Sequence, residues 1–227
     1  MSDLDLLPFY LSFKLAAYTT IGLFLLGLPL AYWLVFRPKR YKVLLESLIG
    51  LPLVLPPTVL GFYLLSLWSP EAWLGGFLAE YFHVHLLFTF PGLVIASMLY
   101  SLPFMLQPLQ AGFRAFPETL VEAAYALGKS PWTTFWRVIL PNSLPALLSA
   151  GMLTFAHTIG EFGVILMVGG SIPGETKVVA ISIYDEVEAL NYAAANRYAF
   201  ILLVFSFLVL LTVYSLNYRH QKFLRLL

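Results

Sequence analysis

The chain has 227 residues, 60% hydrophobic and 11% charged, with a formal net charge of +1. Soluble domains carry about a quarter charged residues, so this chain lacks the polar surface to wet a globule of its size and is predicted to be an integral membrane protein. The absence of cysteine excludes disulfides, thiolate nucleophiles and cysteine-based metal sites, and no basic patch interleaved with aromatics points to nucleic acid.

The acidic N-terminus, MSDLDLLPFY, opens an apolar run far longer than a signal-peptide core, so an uncleaved first span is expected. Five stretches are long enough to cross a ~30 Å hydrocarbon core at about 1.5 Å per residue: residues 9–36, 43–68, 91–112, 142–169 and 197–217. Residues 72–90 are a sixth candidate, but Glu80, His83 and His85 make them costly to bury.

Charge decides between five and six. The basic clusters Arg37/Lys39/Arg40/Lys42, Arg114/Lys129/Arg137 and Arg219/Lys222/Arg225 follow the first, third and fifth stretches. Five crossings gather these ten of the thirteen Lys and Arg residues on one face; a sixth would strand the first cluster. The positive-inside rule then places the N-terminus outside and the C-terminus in the cytoplasm. Asp3, Asp5, Glu71, Glu80, Glu175, Asp185, Glu186 and Glu188 fall outside. With no internal repeat and no low-complexity linker, residues 1–227 read as one domain. The predicted fold class is an all-α integral membrane protein with about five transmembrane helices.

Prolines interrupt the stretches at Pro29, Pro52, Pro56, Pro57, Pro103 and Pro145, and each is expected to kink its helix. They serve either packing irregularity, which bundles tolerate, or broken helices around a pathway. The density in LPLVLPPTVLGF (residues 51–62) favours the second.

Residues 113–141 are anomalous: a polar, structured cytoplasmic loop in an oily chain. Pro117 suits a first helical position, Gly128 a stop, Ser130 an N-cap and Pro131 the next first position. The second helix, ending at Pro141, carries Trp132, Phe135, Trp136 and Ile139 as one apolar stripe suited to the membrane boundary or the bundle floor. The first helix carries Glu118 and Glu122 one turn apart, an unfavourable like-charge pair that Arg114 is expected to relieve at Glu118. This is either a solvated acidic face or a docking surface, beside the small residues Ala123, Ala124 and Gly128. ALGKS is no phosphate-binding loop: alanine stands where its first glycine belongs and proline follows Ser130.

Glu122-Ala123-Ala124, three residues, Gly128, nine residues, then Val138-x-Leu140-Pro141 resembles the EAA loop of ATP-binding-cassette importer permeases, with valine at 138 for the usual isoleucine. The resemblance implies the type I permease fold, with Glu118, Glu122, Ala123, Ala124 and Gly128 in a cytoplasmic coupling helix that seats in a separate ATPase. It also implies two ATPase subunits, an external substrate-binding protein, a second copy of this chain, and a prokaryotic inner membrane. ATP and magnesium would then be bound by the ATPase, with no cofactor and no catalysis on this chain.

The likeness is most specific to molybdate and tungstate permeases, carried by LPLVLPPTVLG, by GEFG at residues 160–163 and by IPGET at residues 172–176. GEFG is shared with sulfate permeases, so sulfate or thiosulfate is the alternative cargo. Some molybdate permeases carry an extra N-terminal span, which this chain is expected to lack, and arginine often stands in relatives where His157 does.

His157 and Glu161 are four residues apart in the fourth stretch, expected on one helix face. Ionisable groups at such depth cost about 2.5–3.5 kcal/mol on insertion scales, so they are either paired structurally or face a pathway. A metal site is not expected, since a catalytic zinc needs three protein ligands. No stretch holds a lysine or arginine near its middle, so an anion path must use hydroxyls, backbone N–H groups and helix N-termini. Thr58, Ser97, Ser101, Thr154 and Thr158 are the expected lining. An intramembrane hydrolase built on His157 and Glu161 would need a third ligand or nucleophile, which the sequence does not offer.

Overall fold

The structure, a computed structural model, describes residues 4–36 and 40–224, with the backbone alone for Val213 and residues 216–224. Asp3, Arg37, Lys39 and Arg225, and the side chains of Arg219 and Lys222, which carried much of the charge-bias reading, lie outside the described residues.

Every element among the described residues is helical: α1 (Leu7–Phe36), α2 (Lys42–Val54), α3 (Pro57–Trp68), α4 (Trp73–Phe82), α5 (Phe90–Arg114), α6 (Glu118–Ala126), α7 (Pro131–Thr134), a π-helical turn (Phe135–Ile139), α8 (Leu140–Asn142), α9 (Leu144–Ile159), α10 (Gly163–Gly169), α11 (Val179–Glu188) and α12 (Tyr192–Leu224). Three are long and apolar enough to cross a membrane alone: α1, α5 and the Tyr192–Thr212 part of α12. Two bent pairs raise the number to five if each counts as one span. In one, α2 and α3 meet at 110°; in the other, Pro131–Asn142 and α9 meet at 72°. Helix α4, within residues 72–90, has ten residues, about 15 Å, half a hydrocarbon core.

Helices α1, α5 and α9 form the packed centre. The buried side of α1 carries Leu11, Leu15, Thr19, Leu23, Gly27, Ala31 and Leu34, with Pro8, Ser12 and Ala16 beside them near its start, spaced as one helix face. Its other sides are apolar too, with Tyr18, Ile21, Leu25 and Leu26 exposed, as a lipid environment requires. Small residues set the spacing. A Cβ on Gly112 would lie 2.2 Å from Ala146 Cβ, so α9 lies close on α5, and one on Gly151 would lie 2.7 Å from the Phe24 ring of α1, the close packing that small residues permit between membrane helices. The start of α11 is pinned to α1 by the Val179 N–H, which donates to Ser12 Oγ at 2.9 Å.

The prolines act differently from expectation. Pro29, Pro52 and Pro103 lie inside continuous helices, as does Pro108; the breaks fall at Leu55–Pro56 and at Ser143, before Pro145. Adjacent prolines remove two consecutive N–H donors and force the preceding residue out of the helical region. Leu55 accordingly sits at ψ 136° and Pro56 at ψ 137°. A single proline within a packed bundle is absorbed.

Candidate functional site

Two places gather the residues that the sequence marks for function: the loop of α6–α8 and a cavity between the helix breaks.

In the loop, Gly128 adopts φ +71° and ends α6, while the Ser130 hydroxyl accepts from the Thr133 N–H at 3.2 Å and caps α7. Pro117 is the residue before α6 rather than its first helical residue. Glu118, Glu122, Ala123 and Gly128 are exposed; Ala124 is buried against the chain's own interior, so its small side chain is accounted for by internal packing. Arg114 does not relieve Glu118. It pairs with Glu46 on α2 and donates to Gln110 Oε1 at 3.1 Å, a link between α2 and α5 with no sequence signal, because the partners are 68 residues apart.

The expected stripe on the second helix splits. Phe135 and Ile139 are buried in the core that also holds Phe113 while Trp132 and Trp136 stay exposed, and residues 135–139 form a π-turn rather than a continuation of the α-helix. Phe135 joins a floor of aromatics: its ring lies 4.9 Å from Tyr32, which lies 4.8 Å from Phe36. Phe36 in turn packs on Phe113 at 6.2 Å. The loop is thereby seated on the ends of α1 and α5.

The cavity, about 500 Å³, is lined by Pro57, Thr58, Tyr100, Ala156, His157, Gly160, Glu161, Phe162 and Gly163. It sits where α3 begins and where the α9 helix has ended, since α9 stops at Ile159 and α10 starts at Gly163. His157 and Glu161 therefore do not share a helix face. His157 Nδ1 is bonded to Ser101 Oγ at 2.9 Å and its ring stacks on Phe104, centroids 3.8 Å apart. Glu161 is 4% exposed, and neither carboxyl oxygen has a hydrogen-bond partner.

Of the seven expected pathway residues, Thr58, His157 and Glu161 line the cavity. Ser101 and Thr158 instead bond each other at 3.1 Å within the α5–α9 interface, and Thr158 Oγ1 donates to the Thr154 carbonyl at 2.9 Å. Ser97 and Thr154 are buried with unpaired hydroxyls. Tyr100 lines the cavity and was missed, because an aromatic in an apolar run gives no signal. Among the described residues, no three His, Cys, Asp or Glu groups converge as metal ligands would.

The three sequence motifs are brought together by packing. A Cβ on Gly163 of GEFG would lie 2.6 Å from Pro57 Cβ, and one on Gly61 of the proline-rich motif would lie 2.8 Å from Met167 Cβ. These glycines let α10 lie directly on α3 beside the cavity. IPGET, by contrast, is a brace. Thr176 Oγ1 donates to the Gly169 carbonyl at 2.7 Å and accepts from the Ile172 N–H at 3.1 Å. Glu175 accepts from the Phe90 N–H at 2.9 Å, placing a carboxylate at the start of α5, where the helix dipole favours it. Thr176→Val removes the partner of the buried Gly169 carbonyl and of the Ile172 N–H in the neighbouring turn, and is expected to cost about 1–3 kcal/mol. In a thermal-shift measurement on the purified chain this is a Tm drop of roughly 2–12 °C at this size; an unchanged Tm would remove the brace.

Residues 24–223 match the family of binding-protein-dependent transport system inner membrane components. The chain is 47% identical over 216 residues to the molybdenum transport system permease protein ModB of Azotobacter vinelandii, covering 95% of both chains. It is 35% identical to the sulfate transport system permease protein CysT of Synechococcus elongatus, over 90% of this chain and 72% of that one. Among solved structures, a chain of the inward-facing MetNI methionine ABC transporter superposes with a TM-score of 0.73 at 17% identity, covering 95% of this chain and 99% of that one.

Proposed function

We propose, since this chain belongs to the family of binding-protein-dependent transport system inner membrane components, that it is the permease subunit of an ATP-driven oxyanion importer whose cargo is molybdate or tungstate. The observation that carries the cargo is the 47% identity to a molybdenum permease across 95% of both chains. Sulfate is the second reading, favoured by the 35% likeness to a sulfate permease.

The working unit would be two copies of this chain, two ATPase subunits that hold ATP and magnesium, and an external binding protein, with the N-terminus outside and the C-terminus in the cytoplasm. Glu118, Glu122, Ala123 and Gly128 present a small-residue, acidic face to the ATPase, while Ala124 holds that face on the bundle. The aromatic floor of Tyr32, Phe36, Phe113 and Phe135 would pass its displacement to α1 and α5. Side chains packed at interior density transmit such movement rather than absorb it. The cavity between the helix breaks would be the anion path, with Thr58, His157 and Glu161 on its wall and Ser97, Ser101, Thr154 and Thr158 behind them.

The test is ATP-driven uptake in proteoliposomes holding the complete complex. Labelled molybdate should accumulate, with competition from tungstate and little from sulfate at equal concentration. Accumulation of sulfate in preference to molybdate would select the second reading, and accumulation of neither would end both.

A further inference from the structure

Helix α2 carries no buried residue and breaks from α3 at Leu55–Pro56 with a 110° bend. It lies on α5, and between the two is a cleft of about 310 Å³. Glu46 stands on the α2 wall; Gln107, Gln110, Ala111 and Arg114 stand on the α5 wall. That wall continues the face of α5 on which Tyr100 lines the cavity, because residues 107, 111 and 114 follow it at i+7, i+11 and i+14. At about 1.5 Å per residue the cleft lies roughly 10–20 Å farther along α5, toward the polar loop.

The cleft has donors to spare. Arg114 bonds Glu46 and Gln110 Oε1, both through Nη2, and a guanidinium offers donors on its other two nitrogens as well. Gln110 is 7% exposed; its amide nitrogen donates to no group among the described residues, yet it is not sealed from solvent. Gln107 adds a second, exposed amide. Against these stands the Glu46 carboxylate, which offers a guanidinium the same charged oxygens that an oxyanion would. Their side chains are 50% and 32% exposed, so the pair is weak, and α2 has no buried side chain to hold Glu46 in place.

We propose that this cleft is a transit site for a doubly charged tetrahedral oxyanion, held by Arg114, Gln110 and Gln107, with Glu46 as a built-in competitor that the anion displaces and that later displaces the anion. The proposal rests on the oxyanion-permease reading and adds to it a place and a cation. An arginine by itself would hold a dianion tightly; a carboxylate waiting beside it keeps the affinity low enough for release.

The chain has no cysteine, so Ala111→Cys places a single thiol on the cleft wall, at an exposed residue given no part in holding the anion. The measurement is the rate of its modification by an uncharged methanethiosulfonate reagent, in the full complex in nanodiscs without ATP. Molybdate is titrated against chloride at equal ionic strength. Slowing that saturates with molybdate, and none with chloride, is expected. Adding Glu46→Gln, which removes the competitor and keeps its shape, should lower the molybdate concentration for half-protection about threefold, the worth of a half-exposed ion pair. Adding Arg114→Gln should abolish protection. No protection in the parent chain, or protection kept in the Arg114→Gln chain, would overturn the proposal. So would a half-protection concentration left unchanged or raised by Glu46→Gln, the result expected of a pair that only ties α2 to α5. If the Arg114→Gln chain fails to assemble by gel filtration, the Glu46→Gln chain decides alone. ATP-driven uptake by the wild-type complex is measured in parallel. Uptake without protection would overturn this site alone; protection without uptake would overturn the importer reading and leave the site standing.

Discussion

Uptake by a complex carrying Glu122→Lys is expected to fall at least tenfold, with the chain still inserted and the ATPase still turning over. Glu118 and Glu122 are exposed one turn apart on α6, and the ion pairs among the described residues, Arg114–Glu46 and Lys177–Asp185, leave both outside. A like-charge pair on a short helix is a cost in the isolated chain that a complementary surface on a partner repays. Reversing one charge in such an interface costs about 2–5 kcal/mol, and about 1.4 kcal/mol is already tenfold in affinity. Because Glu122 is exposed, the substitution leaves the bundle's packing intact, so loss of uptake alongside normal membrane insertion is the signature of a lost contact. Uptake at the wild-type rate would take Glu122 off the docking face.

Replacing Gly92 with alanine is expected to prevent recovery of folded protein, through a different mechanism. A Cβ at residue 92 would lie 1.7 Å from the Leu86 carbonyl oxygen, a collision between backbones that no side-chain rotation relieves. The neighbouring turn cannot retreat. The Phe88 N–H donates to the Val168 carbonyl of α10 at 2.9 Å, and Thr89 Oγ1 donates to the Leu86 carbonyl at 3.0 Å while accepting from the Gly92 N–H as the cap of α5. Moving the turn therefore disturbs the start of the central helix and the end of α10 together. Overpacking costs typically about 1–3 kcal/mol, and a backbone clash tied at both ends should reach the top of that range or beyond. Gly50→Ala is the control: nothing lies within 4 Å of its Cβ position, so the change should be neutral or stabilise the helix by up to about 1 kcal/mol. Gel-filtration recovery of the two variants in mild detergent checks both; equal recovery would mean that the turn is free to move.

The ends of the polar loop's helices were legible because their signals are local. Gly128 in a left-handed conformation, Ser130 at a cap and two prolines at helix starts act within one or two turns of their own positions, so sequence order is enough to place them. The π-turn at residues 135–139 was not legible. Nothing in FWRVI distinguishes it from an α-helix, and it is the packing of Phe135 and Ile139 onto the aromatic floor that sends Trp132 and Trp136 outward. Composition set the membrane class and the helical fold, since a chain this apolar can satisfy its backbone in lipid only through helices or a closed barrel, and uninterrupted apolar runs exclude the alternation that a barrel needs.

Tertiary structure decided what long-range packing controls. Spacing put His157 and Glu161 on one face, assuming that the helix continued. It stops at Ile159 instead, and Gly163 comes to lie against Pro57, 106 residues earlier, with Glu161 buried in the break between the two helices. Arg114 likewise chose Glu46 over Glu118, a choice set by how α2 folds back at the Pro56 break. The sequence by itself thus determined which segments are helical, where the polar loop starts and stops, and that the chain lives in lipid, all consequences of short-range sterics and hydropathy. Which buried groups meet, and which carboxyl is left without a partner, depended on contacts between segments far apart in the chain, and those exist only once the helices have packed.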